Sequence, residues 1–590
     1  MNSRLDIPKF ALIGLIAALM LSLLNQWVAF SKAYDEEQEK KLEALAAPDI
    51  TYADDVTLSI ETAAPDSDST ADDSLPALGA ETTDIDALSA PEILSGVTTS
   101  RSITVETDTL RVIIDRRGGD IVGVALLRHL KSLDSDEPFV LLERNARRTY
   151  IAQSGLIGVN GTDSRSGRAV FSASASEYRM EEGEPLVVNL FFLDPSGVRI
   201  TKRYTFTPGD HLIDVSYLID NRSDTEWKAT FYSQINRDNS EDPGAADIGF
   251  GIQAYLGAAT TNAEDPYKKI SFADMNKSDY RNQQTGGWVA MLQHYFVSAW
   301  VPDTDAQHTY FTKQSSKGLN IIGFTGRPTI VSPGDTATIG AGFYAGPKDQ
   351  YRLQEIAPHL DLTVDYGWLW WIAQPLYALL YFFATGDFHA FDDVFSIGVG
   401  VGNWGVAIIM LTIVIKLVFF QLSAASYRSM ANMRRVQPKM IAIRDRYGDD
   451  KQAQSKAMME LYQKEKINPL GGCLPILIQM PVFIALYWAL IESVELRHAP
   501  FFLWIDDLSM MDPWFVLPII MGATMWFQQK LNPPPPDPMQ AKIMQWMPII
   551  FTFFFLWFPS GLVVYWISNN ILSIAQQWVI TRRIENADKA

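Results

Sequence analysis

Residues 411–420 read LTIVIKLVFF, and Lys416 is the only Asp, Glu, Lys or Arg between Asp393 and Arg428. A cation in such a run has a chemical job or a structural one. The other candidates for chemistry are weak. His129, His211, His294 and His308 fall in or near strand-like stretches without metal-ligand spacing, and no serine sits in a nucleophile elbow. GVGNWG at residues 400–405 fits G-x-G-x-x-G, but it precedes an apolar helix, follows no βαβ strand and has no acidic residue about 20 positions on. The Walker pattern for phosphate binding is missing as well. The sequence therefore points away from nucleotide hydrolysis, metal catalysis and covalent catalysis, and no cofactor is expected.

The elements that must position Lys416 are membrane segments. The chain has 590 residues and a mean hydropathy near zero, an average over a polar first part and an apolar last third. Residues 10–31 are 22 uncharged residues, enough to cross a hydrocarbon core of roughly 30 Å. The small-x-small pattern at residues 29–33 is poor, so this segment reads as an uncleaved anchor, residues 1–31. Further uncharged runs are residues 366–386, 394–427 (interrupted only by Lys416), 467–491, 513–529 and 543–581, the last divided by FPSG at residues 558–561.

Loop charge sets the orientation. Residues 428–466 carry ten Lys or Arg against five Asp or Glu, which marks a cytoplasmic loop. Alternation then leaves both termini in the cytoplasm. If residues 366–386 also crossed, this basic loop would lie outside, so they read as an aromatic interfacial helix on the outer surface.

Residues 31–365 hold 30 basic and 51 acidic residues, a net charge of −21, which disfavours nucleic acid as a partner. The only cysteine is Cys473, so the exported part is expected to fold without a disulfide. Residues 32–100 read as an acidic, disordered tether; thirteen Asp or Glu and no Lys or Arg occur over residues 42–100. From Arg101 apolar and polar residues alternate, with turn signals at RRGGD, DPSG and TPGD, which predicts a β-sandwich over residues 101–365.

An isolated lysine at mid-bilayer costs about 2.5–3.5 kcal/mol on insertion scales. No other span contains a carboxylate, since Glu492 and Glu495 lie at the outer end of their helix. Lys416 is therefore expected to face a wet cavity lined by Thr412, Gln421, Gln479, Tyr565, Trp566, Ser568, Asn569 and Gln576. The spans over residues 513–529 and 543–557 are short, about 25 and 22 Å at 1.5 Å per residue, and short spans thin the bilayer. The cytoplasmic loop reads as a helical hairpin, residues 426–447 and 451–466, turning at GDD and carrying Met430, Met433, Met440, Met458 and Met459. Those methionines either pack the two arms together or form a pliable surface for hydrophobic segments, beside Arg434 and Arg435. A secondary transporter titrating Lys416 is the alternative. It needs an acidic partner or an inverted repeat, and neither is visible.

GNWGVAIIMLTIVIK, MANMRRVQPKM with YGDDKQ, NPLGGCLPILIQMPVF, SVELRHAPFFLWIDDLS, DPMQAKIMQWMP and FFLWFPSGLVVYWISN together resemble the bacterial membrane protein insertase family YidC, of the Gram-negative type with a large periplasmic domain. The resemblance covers residues 366–581 almost without a gap. It implies a polytopic α-helical protein: an N-terminal anchor, an exported all-β domain, an interfacial helix at 366–386, and a five-helix core with its hairpin and short tail over 394–590. It implies a hydrophilic groove in that core, open to the cytoplasm and to lipid. Lys416 takes the place of the groove cation, which is arginine in many members. Thr412 matches a groove threonine, and Trp566 stands where some members have tyrosine. The implied activity is insertion of nascent membrane proteins into the bacterial inner membrane, without enzymatic chemistry. The implied partners are ribosome–nascent chain complexes, the Sec translocon with its accessory subunits, and the lipid bilayer. The tail to Ala590 carries few basic residues, so ribosome binding by the tail is not expected.

Overall fold

A computed structural model describes residues 75–76, 100–164, 167–244, 254–390, 393–396, 398–448, 450–465, 474–532 and 538–587. The anchor, nearly all of the tether, and Cys473 lie outside the described residues.

Alternation gives strands because successive side chains in an extended chain point to opposite faces. Val198–Phe206 and Leu212–Asn221 bury every second residue, and they pair antiparallel with Ile200 opposite Ile219. The described strands form a nine-stranded and a twelve-stranded sheet, mostly antiparallel. In the nine-stranded sheet, Thr336–Pro347 lies between Leu212–Asn221 and Phe296–Pro302. In the twelve-stranded sheet, Leu110–Asp115, Asp120–Leu130 and Pro138–Arg144 are consecutive neighbours. Val112, Leu126, Tyr204, Val215 and Trp300 fill the space between the sheets. A polar cluster is buried in the same domain: Arg168 pairs with Asp120 and, at 2.9 Å, with Asp163, while Lys202 donates to the carbonyls of Gly118 and Ser154 at 3.0 and 3.1 Å.

The strands stop earlier than the sequence suggests. After Pro347 the chain forms the helix Gln350–Ile356 and the 3-10 turn Leu360–Thr363. Asp349 starts that helix by accepting from the backbone of Tyr351 and Arg352 at 3.0 and 3.2 Å. The aromatic helix is Trp370–Thr385, ended by Gly386 at φ 88°. A short hairpin follows, Asp387–Ala390 with Asp393–Ser396, where the sequence suggested the first span already under way.

The run 394–427 is not one straight helix. Trp404–Val418 and Phe420–Tyr447 meet at Phe419 with a bend of 67°. No proline or glycine causes it. A side chain of the last helix supports the break, since Gln576 Nε2 donates to the carbonyl of Phe420 at 3.2 Å. Lys416 therefore sits in the last turn of its helix and not midway along a span. The remaining helices are Lys451–Lys464, Leu474–Glu492, Val516–Leu531, Pro538–Phe554 and Ser560–Ala587. Among the described residues no single helix is both long and apolar enough to cross a membrane; only the bent pair meets that test.

One hydrophobic core runs from the nine-stranded sheet into the helices. Trp288 and Tyr344 of the sheet, Leu353 and Leu360 of the connector, and Leu380, Leu411, Leu490 and Leu562 of the helices belong to it.

Candidate functional site: a buried lysine among the helices

The lysine helix is fixed at its start. Asn403 caps it by accepting from Val406 N at 3.0 Å, and its amide also donates to the carbonyl of Phe501 at 3.2 Å. Gly405 lets Phe501 lie against the first turn, because a Cβ there would meet the ring at 2.0 Å. Three turns on, Lys416 is 8% exposed. Its ammonium donates to Ser573 Oγ at 2.7 Å, and Ser573 donates in turn to the carbonyl of Asn569 at 2.6 Å. Among the described residues no carboxylate pairs with Lys416.

One hydrogen bond to a charged group contributes about 1.5–3 kcal/mol. Ser573 takes one of the three ammonium donors.

The other expected residues lie on the lysine helix and on Leu474–Glu492 and Ser560–Ala587. Thr412 lies one turn before Lys416, fully buried, and its hydroxyl donates back to Ile408 O at 2.7 Å, so its polarity is spent within the helix. Tyr565 stacks on Phe483 with centroids 6.1 Å apart, and Trp566 meets Phe483 edge-on at 4.7 Å and Phe555 at 5.1 Å. These rings form an aromatic wall one turn before Asn569. Within it, Trp566 Nε1 is buried without a hydrogen-bond partner. Gln479 is half-buried one turn before Phe483 on the facing helix. Asn569 joins the site through its carbonyl, and Gln576 serves the helix break.

Ser573, Asn570 and Gln577 were missed. Asn570 donates to Thr524 at 3.0 Å, and Gln577 donates to Leu531 O and Asn532 Oδ1 at 3.2 and 3.0 Å. Their spacing of three and four residues draws a polar stripe along one face of an apolar helix, and that periodicity was the available signal.

In the hairpin, Asp450 caps the second arm by accepting from Gln452 and Ala453 at 3.1 and 3.0 Å. Met440 is buried with Val436, and Met433, Met458, Leu461 and Tyr462 pack against them. Lys439 and Glu465 tie the arms at 2.6 Å. Met459 is 58% exposed, Met430 is half-buried, and Arg434 and Arg435 are exposed. The methionines thus divide between packing and surface.

At the other end of the helices, Glu492 is buried in an ion pair with Lys348 at 2.9 Å. Tyr377 donates to Glu495 at 2.8 Å, and burial raises the Glu495 carboxyl to about 7. Arg497 donates to the carbonyls of Leu130 and Lys131 at 2.8 and 3.1 Å.

Family profiles match two parts of the chain: the YidC periplasmic domain over residues 102–379 and the 60Kd inner membrane protein over residues 396–587. A solved chain titled as an active YidC insertase with its first transmembrane domain resolved is similar at TM-score 0.36 and 17% identity, covering 81% of this chain and 93% of its own. A protein of Saccharophagus degradans (strain 2-40) named membrane protein insertase YidC is 55% identical over 488 residues, covering 82% of this chain and 84% of that protein. One of the same name from Cellvibrio japonicus (strain Ueda107) is 51% identical over 587 residues, 99% of this chain and all of that protein. With that identity over nearly its whole length, the chain belongs to the YidC family of inner-membrane protein insertases, which carry a periplasmic domain and perform no enzymatic reaction.

Proposed function

We propose that this chain moves nascent hydrophobic segments from the cytoplasm into the inner-membrane bilayer along a groove whose polar centre is Lys416. The observation that carries the reading is the buried ammonium held by a neutral hydroxyl, Ser573, on the same helix as the aromatic pair Tyr565 and Trp566 and about two turns on. A substrate's short polar or acidic outer segment enters at this cation. A carboxylate 4 Å from it gains roughly 4 kcal/mol at an effective dielectric near 20. The segment's apolar helix then leaves sideways into lipid, and its transfer out of water supplies the main driving force.

The topology that goes with this reading has five core spans and an N-terminal anchor, with both termini and the hairpin cytoplasmic. The aromatic helix Trp370–Thr385 lies along the outer surface; Trp368, Trp370 and Trp371 are exposed near its start, as residues of a membrane interface are. Val516–Leu531 has 16 residues, about 24 Å, so the bilayer beside it is thinned. The hairpin, through Met430, Met459, Arg434 and Arg435, receives ribosome-bound chains, and larger substrates are handled beside the Sec translocon. Depleting the protein in cells and following protease accessibility of small inner-membrane proteins tests the reading. Their outer segments should stop becoming accessible; unchanged accessibility would sink it.

A further inference from the structure

The loop between Leu474–Glu492 and Val516–Leu531 concentrates backbone strain. Four non-glycine residues among those described have positive φ, and three of them, His498, Leu503 and Phe515, fall in this loop, at 60°, 61° and 56°. Such strain gathers at working sites and persists only where the surrounding structure holds it. Leu503 is the extreme case. Phe501 N donates to Ile505 O at 2.9 Å and Ile505 N to Phe502 O at 3.3 Å, which puts Leu503 at the first central position of a tight turn. Glycine, asparagine and aspartate dominate that position when it is left-handed. Here a leucine occupies it with 87% of its surface exposed, more than any other large apolar residue among those described, and Phe502 beside it is exposed as well. Strained backbone and bare apolar surface are both unfavourable, and burial of this tip against something outside the chain offsets them.

The tip is presented by a fixed loop. Asp512 is buried and accepts from Trp504 Nε1 and Trp514 N at 2.9 and 3.0 Å, and from Leu517 N at 2.6 Å. The Trp504 and Trp514 rings stack with centroids 5.7 Å apart. On the other side of the turn, the Phe501 ring lies against Gly405 and the Phe501 carbonyl accepts from Asn403, so the tip is joined to the first turn of the lysine helix. Gly561 N donates to Leu508 O at 2.9 Å, which ties the same loop to the last helix.

The surface around the tip indicates what covers it. Trp514 and Phe515 are exposed at the start of Val516–Leu531, and Ile519 and Ile520 continue the exposed apolar surface along that helix. The Trp504–Trp514 stack carries this surface over to Phe502 and Leu503. Residues 499–505, APFFLWI, contain no charge; Asp506 is exposed just beyond the turn, and Asp507 is buried, accepting from Ser509. In an inner-membrane protein, tryptophan at the end of an apolar helix marks the level of the lipid headgroups. Irregular backbone at such a depth needs its polar groups bonded, and Phe501 N and Ile505 N are bonded within the turn.

From this placement we propose that Phe502 and Leu503 form a wedge seated among the acyl chains of the outer leaflet, where it anchors the outer end of the lysine helix through Phe501. The occupant of the exposed tip is phospholipid. The proposal takes from the insertase reading only the orientation of the core, and adds to it a lipid contact outside the groove.

The test uses the full-length protein, with its only cysteine, Cys473, replaced by serine, in vesicles of phosphatidylethanolamine and phosphatidylglycerol. A nitroxide is attached at Leu503→Cys and, for comparison, at Asp506→Cys, exposed on the same loop. Collision with oxygen, which concentrates in lipid, is measured against collision with a water-soluble nickel chelate. The Leu503 label should meet oxygen several-fold more often than the chelate, and the Asp506 label should show the reverse. A Leu503 label as open to the chelate as the Asp506 label overturns the proposal. Spin–spin broadening at Leu503 also overturns it, by placing a second copy of this chain on the tip. Phe502→Cys gives the same measurement if Leu503→Cys fails to fold. The anchoring role is read in cells with Leu503→Asn. A leucine that merely faced water would be improved by asparagine, which suits left-handed backbone. A lipid anchor is lost instead, so insertion should fall at least threefold at normal protein level, while Leu503→Met should keep it; unchanged insertion by the asparagine variant overturns the anchoring role. These failures leave the insertase reading intact, since its own failure would show as unchanged substrate accessibility on depletion.

Discussion

A buried ammonium bonded to a serine hydroxyl is the polar centre of the groove proposed above, so the charge at Lys416 is the property to test. Lys416→Arg keeps the cation and should support insertion near the wild-type level. Lys416→Glu reverses an interaction of roughly 4 kcal/mol. Even half of that exceeds the 1.4 kcal/mol of a tenfold effect, so insertion of a substrate with an acidic outer segment should fall at least about tenfold. Lys416→Ala should impair the acidic substrate more than a neutral one. Protease accessibility of the paired substrates, in cells whose only copy carries each variant, measures all three. Equal insertion of both substrates by the alanine and glutamate variants would show the lysine to be a tolerated structural residue. Ser573→Ala makes a different demand: it removes the hydroxyl that accepts from the ammonium, so it should lower stability by about 1.5–3 kcal/mol. Thermal unfolding of the purified variant reads that loss.

At the scale of elements, the hairpin separates a packed loop from a receiving surface. Met433, Met440 and Met458 hold its arms together, while Met459, Arg434 and Arg435 face outward. Removing residues 428–466 should therefore abolish insertion while the remaining helices stay protease-resistant; normal insertion by such a deletion would reduce the methionines to packing. Much of this element was legible in the sequence, because Asp450 caps a helix and a run of helix formers continues it. The strands were legible for a similar reason, as in Val198–Phe206, where local alternation and burial coincide. The break at Phe419 was not. LVFFQ has no helix breaker, and the contact at the bend comes from Gln576, more than 150 residues away. Ser573 was hidden because a helical serine commonly bonds its own backbone, and this one does so to Asn569 while also accepting from Lys416. Lys416 itself stood out only because its neighbours carry no charge.

The whole molecule is joined where the exported domain meets the helix ends, and the charges there predict how the joint responds to pH and to deletion. Burial pushes His129 and His294 down to about 4, from an ordinary 6.5. His129 faces His211, His498, Arg128 and Arg497; His294 faces Lys348, Asp242 and Arg497, and its Nε2 meets the carbonyl of Ile491 at 3.1 Å. Both are neutral in the fold, so the stability they contribute is complete above about 6.5 and is lost as pH falls towards 4. Hydrogen-exchange protection at the joint, taken relative to the intrinsic exchange rate at each pH, should fall between pH 7.5 and 5, and His294→Gln should flatten that response. Deletion depends on Lys348 and Glu492, 3% and 2% exposed as side chains. Removing one partner of such a pair costs about 3–5 kcal/mol, because the other charge stays buried. A deletion of residues 101–346 keeps Lys348, the connector helix Gln350–Ile356 and the aromatic helix, and should leave insertion largely working. Extending it through residue 365 strands Glu492 and should abolish complementation, with partial recovery on adding Glu492→Gln. Complementation by both deletions at equal protein level would show that the ion pair does not hold the outer end of the core.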